Sequence, residues 1–174
     1  MLALALVAAV TLGGTPEPAV DSKGSLGGIE AFVVRIVGID EEARKVGISE
    51  AAIRDQVEGA LRRKGIRIAT AMDDGGEVLA GRAFLRVSVM VATATDRASI
   101  GSSLRVSQVV RLSSGELAYG QTWTDDAVAG TTISWAAPKL REALQRSLDR
   151  FRDQYLEARA LRASRQALGS RAAK

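Results

Sequence analysis

Residues 84–95 read Phe84-Leu-Arg-Val-Ser-Val-Met-Val-Ala-Thr-Ala-Thr95. Leu85, Val87, Val89 and Val91 fall on one side of an extended chain, and Arg86, Ser88, Met90 and Ala92 fall on the other. This is the period-two pattern of a strand with one face buried and one face wet. Downstream, a turn at Gly101-Ser102-Ser103 leads into a second alternating stretch, in which Leu104, Val106, Val110 and Leu112 share a side interrupted by Gln108, while Arg105, Ser107 and Arg111 point away. Ser113-Ser114-Gly115-Glu116 has hairpin length, and residues 117–124 read as the returning strand. There Leu117, Tyr119, Gln121 and Trp123 take one side and the small residues Ala118, Gly120, Thr122 and Thr124 the other, with Asp125-Asp126 expected to end the sheet.

Upstream, the β-branched run at residues 31–37 (AFVVRIV) suits a first strand, and Gly38-Ile39-Asp40-Glu41-Glu42 suits a turn. A helix then begins with Ser49 as cap, Glu50 at the positive end of the dipole, and Ile48 with Ile53 spaced as a hydrophobic staple. Ile53, Val57 and Leu61 form its apolar stripe beside Ala60, and Arg62-Arg63-Lys64-Gly65 closes it. Ile66-Arg67-Ile68 alternates as a short strand before a loop at Asp73-Asp74-Gly75-Gly76. The last helix is expected from Ser134 through Arg159, with Pro138 in its first turn and a stripe of Leu140, Leu144, Leu148, Phe151 and Tyr155. The order β-α-β-β-β-β-α predicts an α+β two-layer sandwich: a mostly antiparallel sheet with two helices on one face.

The chain begins with an apolar run, residues 1–12, followed by Gly13-Gly14-Thr15-Pro16-Glu17-Pro18. It reads as a signal peptide over residues 1–19, shorter than the roughly 20 apolar residues a transmembrane helix needs. No basic residue precedes the run, the first being Lys23. Residues 20–28, rich in Gly and Ser, read as a flexible leader, residues 29–158 as a single domain, and residues 159–174 as a basic, partly disordered tail. These boundaries make the product periplasmic or secreted, with no transmembrane span in the mature chain. The absence of cysteine removes disulfides and the residue that would carry a lipid anchor, so the exported form is expected to be unlipidated.

Histidine is absent as well, which excludes Ser-His-Asp, Cys-His and histidine-bearing zinc sites. An enzyme built from this sequence would need carboxylates, hydroxyls or lysine, and Asp73/Asp74 with Asp125/Asp126 are the acids that a hydrolase of an extracellular polymer could use. Adjacent aspartates also serve as ordinary turn residues. No glycine spacing matches a phosphate-binding loop, and no cofactor is expected. Of 24 basic residues against 20 acidic, five lie between Glu157 and Lys174 against one acid, leaving the remainder balanced. The tail has no aromatic side chain to stack a base, so nucleic acid is not an expected partner. A weak contact with an anionic surface through Arg159, Arg162 and Arg165 is the sharper reading of the tail. Tyr119 and Trp123, on one strand face, together with Met90, are the residues expected to line a partner-binding surface if that face is uncovered.

Three short segments bear on relatedness: Leu61-Arg62-Arg63-Lys64-Gly65-Ile66 at a helix exit, Thr122-Trp123 in a late strand, and Phe151-Arg-Asp-Gln-Tyr155 in the final helix. With this layout the chain, over roughly residues 29–158, resembles uncharacterised secreted bacterial α+β domains. In element order it is similar to the lipopolysaccharide-assembly lipoprotein and transport-auxiliary envelope lipoproteins, whose lipidated cysteine this chain lacks. The resemblance implies a non-enzymatic periplasmic or secreted binding or envelope-accessory domain, whose partner would be a protein or another envelope component.

Overall fold

The computed structural model describes residues 25–69, 81–112 and 114–172. The expected signal segment, the start of the leader and the Asp73-Asp74 loop lie outside the described residues. Strand β1 (Ala31–Ile39) leads to a one-turn helix α1 (Glu41–Lys45) and helix α2 (Glu50–Arg63). Strands β2 (Arg82–Ala94), β3 (Arg97–Arg111) and β4 (Leu117–Thr132) follow, then a 3₁₀ turn and the long helix α3 (Ala136–Ala172). The sheet runs β1-β2-β3-β4, with β1 parallel to β2 and the other pairs antiparallel. It is a mixed four-stranded sheet with helices packed on one face, the α+β architecture expected from the alternation.

The departures from expectation are local. Ile66–Ile68 is not a fifth strand: one parallel bridge joins Phe32 to Ile68, held by Phe32 N–H to the Arg67 carbonyl at 2.9 Å and Ala69 N–H to the Phe32 carbonyl at 2.8 Å. The hairpin between β2 and β3 turns at Thr95-Asp96 rather than at Gly101-Ser102-Ser103, which lies inside β3. β3 is flanked on both sides, and the ladders it shares with β2 and β4 keep three small residues extended against their propensity. Nor do Asp125 and Asp126 end β4, because alternation sends one to each face. The turn foreseen at residues 38–42 contains the start of α1, capped by Asp40, whose Oδ1 accepts from Ala43 N–H at 2.7 Å while Oδ2 accepts from Val91 N–H at 2.8 Å. That one carboxylate satisfies a helix end and a strand amide beyond the reach of β1.

Helix α2 is capped by Ser49 as its sequence requires, and Ile48, Ile53, Val57 and Leu61 are buried. The stripe of α3 is buried in full from Leu140 to Tyr155 and packs on Phe32, Leu85, Val87, Leu104 and Val106. Phe151 meets Phe32 edge-on at 5.3 Å and Trp123 at 5.1 Å between ring centres, arrangements favoured by the ring quadrupoles. Burial begins at Leu26, fully enclosed and three residues upstream of Ile29. The Tyr155 hydroxyl donates to the Ile29 carbonyl at 2.8 Å inside the core. Helix α3 continues to Ala172, with its side chains exposed from Arg159 to Ser170.

Candidate functional site: the open face of the sheet

The helices cover one face of the sheet, and strand alternation decides what stands on the other. On the side that no described helix covers, β2 presents Arg82, Phe84, Arg86, Ser88 and Met90, and β3 presents Arg97, Ser103, Arg105, the buried Ser107 and Arg111 at alternate positions. Arg35 comes from β1, and Tyr119, Gln121, Thr124 and Asp126 from β4. Among the described residues of the four strands, this face carries six arginines and one aspartate.

Register lines three of those arginines up. Arg35 lies beside Arg86, Arg86 beside Arg105, and Arg105 beside Thr124, so one row across the strands reads Arg-Arg-Arg-Thr. The row is exposed. Neighbouring strands are about 4.8 Å apart, and like charges directly opposite each other disfavour the sheet. The guanidinium of Arg35 lies 4.2 Å from the centre of the Phe84 ring, a cation–π contact that positions it over the face. Arg105 donates from Nε to Ser103 Oγ at 3.0 Å. The next row on one side is Phe84–Ser107–Gln121 and on the other Ser88–Ser103–Asp126.

The three residues expected to form one partner surface do not stay together. Tyr119 and Met90 stand on the open face, 60% and 69% exposed, but Trp123 is 7% exposed and faces the helices. A β-bulge separates them: Val106 pairs with Trp123 and Ser107 with Gln121, leaving Thr122 as the extra residue. One inserted residue inverts the alternation of everything beyond it. Trp123 then packs on Phe151 and donates from Nε1 to Gln154 Oε1 at 2.6 Å.

The tail arginines are divided too. Arg159 lies 5.8 Å from the Tyr155 ring centre, and Arg162 donates to the Gly27 carbonyl at 3.4 Å. Together with Glu30 and Gln166 they line a depression of about 250 Å³ beside the N-terminal segment. Arg165 is exposed on the projecting part of α3. Arg162 therefore ties α3 to the N-terminal segment, whereas Arg159 reaches a ring of its own helix.

The candidate acids separate as well. Asp125 faces the helices, where Arg150 grips it twice, at 3.0 and 2.6 Å, while Asp126 stands on the opposite face. Burial pushes the Asp125 carboxyl up, but the Arg150 and Ser147 hydrogen bonds and the Arg150 charge outweigh it and hold the group below its ordinary value. An ionised carboxylate locked to arginine is poorly suited to act as a general acid. Among the described residues no group of acids is placed to hold a metal ion, and no helix is long and apolar enough to cross a membrane.

Sequence reasoning had Arg86 and Arg105 pointing away from the core but did not see that they are neighbours. The missing signal was the hairpin loop, because once Thr95-Asp96 is the turn, counting back from Ala94 opposite Arg97 brings Arg86 opposite Arg105.

No family model and no curated protein matches the chain. Among solved structures it is similar to a dodecamer of a PelC point variant from Paraburkholderia phytofirmans, at 14% identity over 66% of this chain and 79% of that one, with a TM-score of 0.40. It is also similar to the rare lipoprotein B from Shewanella oneidensis, at 12% identity over 78% and 98% of the two chains, with a TM-score of 0.34.

Proposed function

We propose that this chain is a non-enzymatic binding domain of the exported, envelope-accessory kind, and that it takes an anionic partner on the open face of its sheet. The apolar run at residues 1–12 supports export. The observation that carries the binding role is the row Arg35–Arg86–Arg105. A row of guanidinium groups favours binding of an anion laid over it, because guanidinium forks donate paired hydrogen bonds to carboxylate or phosphate. Tyr119 and Met90 stand on the same face as apolar contacts, each two rows from the arginines.

Binding of labelled polyanions should test this, with an acidic polysaccharide, an oligonucleotide and anionic vesicles each titrated at low and high salt. At least one is expected to bind, with affinity falling as salt rises. The doubly reversed variant Arg86→Glu/Arg105→Glu should lose that binding while its thermal unfolding stays intact, and deletion of residues 164–174 should leave binding unchanged. Failure of all three probes, or loss on the deletion rather than on the reversal, overturns the proposal.

A further inference from the structure

Resting on the open-face reading, we infer that the anionic partner is a linear acidic polysaccharide lying across the strands, its carboxylates on the arginine row and its hydroxyls on the rows beside it. Three features of the face select this chemistry. The arginines form a line, one per strand, spanning about 10 Å from β1 to β3 at the usual strand spacing. A line of separate forks suits a polymer with one charge per repeating unit better than it suits a compact anion.

The positions adjoining the line on β3 and β4 carry hydroxyls and an amide, beside the Phe84 ring under Arg35 and the carboxylate of Asp126. Gln121 is exposed on one side, beyond the buried Ser107, Ser103 stands on the other, and Thr124 stands at its end. These are the donors and acceptors that a polyhydroxylated chain can satisfy. Acyl chains would need apolar positions here, but Met90 and Val128 are set apart from the line by the Ser88–Ser103–Asp126 row. Stacked bases would need free aromatic faces. Phe32, Trp123, Phe151 and Tyr155 are enclosed in the core, and the ring of Phe84 lies under Arg35. Among the described residues, Tyr119 alone offers a ring beside the site, two rows from Arg105.

Asp126 restricts how such a polymer can lie. Among the described residues it is the one acid on this face of the strands, placed at the β4 end of the row next to the arginines. Its charge repels carboxylates from that side and favours a path on the Gln121 side of the row.

Calorimetric titration should compare oligogalacturonate, its methyl ester, a single-stranded oligonucleotide and phosphatidylglycerol vesicles. The acid oligomer is expected to bind at least roughly tenfold more tightly than its ester, a ratio equal to the loss of one good charged contact. Arg105→Gln should weaken the acid oligomer by roughly tenfold, and Asp126→Asn should tighten it a few-fold. Amide shifts on binding should centre on Arg86, Arg105, Ser107 and Thr124. Equal affinity for acid and ester, or tighter binding of the oligonucleotide or vesicles, overturns the polysaccharide assignment but leaves the open-face reading standing. Silence from every probe removes both.

Discussion

At the scale of single residues, the pairing of Asp125 with Arg150 sets a measurable pH dependence. The folded-state carboxyl is held below its ordinary value of 3.8, so its contribution is present above that value and is lost as pH falls through the lower, folded one. Asp125→Asn is therefore expected to lower stability at pH 7 by about 0.5–1 kcal/mol, a range set by the solvent exposure of Arg150. The gap to wild type should close as urea titrations are carried down toward pH 2. A gap that stays constant from pH 7 to pH 2 would mean that the ion pair does not stabilise the fold. Charge neutralisation of this kind could not be read in the sequence, since Asp125 and Arg150 are 25 positions apart. The caps, by contrast, were legible at once, because Ser49 and Gly65 act within four residues of their partners.

Elements were legible wherever their pattern was local. The α2 stripe and the α3 stripe hold in the structure because each is decided by spacings of three and four on one helix. Strand ends failed where a neighbour overrides the local signal: β3 takes in Gly101-Ser102-Ser103, and the Thr122 bulge turns Trp123 inward although Tyr119 and Trp123 are an even four positions apart. The true turn was hidden because Thr95 carries a positive φ of 54°, an unfavourable conformation for a β-branched residue. Thr95→Gly is expected to stabilise the protein by about 0.5–1 kcal/mol, with glycine's own entropy limiting the gain. Equilibrium urea unfolding would show it, and a loss of stability would mean that contacts made by the threonine side chain outweigh the backbone strain.

For the molecule as a whole, the fold class could be read from alternation, but the location of its charge could not. Composition places a surplus of basic residues in the last 18 positions, while the register gathers six arginines on one face of the strands. Period-two spacing assigns each arginine to a face, and only the hairpin turns determine which of them become neighbours. The candidate site was therefore half legible: its residue types and their outward direction were visible, but their alignment was not. The division of labour is spatial, with the core aromatics and both long helices on one side and the cationic rows on the other.

The contact between Tyr155 and Ile29 has a consequence for how the domain opens. The stretch from Ser25 to Ile29 is held by the Tyr155 hydroxyl, by Gln108 Nε2 donating to the Ser25 carbonyl at 3.2 Å, and by Arg162. The start of the domain and the second half of its last helix thus form a clasp, so fraying from the N-terminal side is coupled to release of α3. Native-state hydrogen exchange should then give Phe32 and Leu148 one shared opening free energy. Tyr155→Phe, which leaves a buried carbonyl without its donor, should lower both together by about 1–3 kcal/mol. Separate values for the two amides would show a domain that unravels in stages, whereas a shared value means that a protease or a pulling force meets one cooperative barrier.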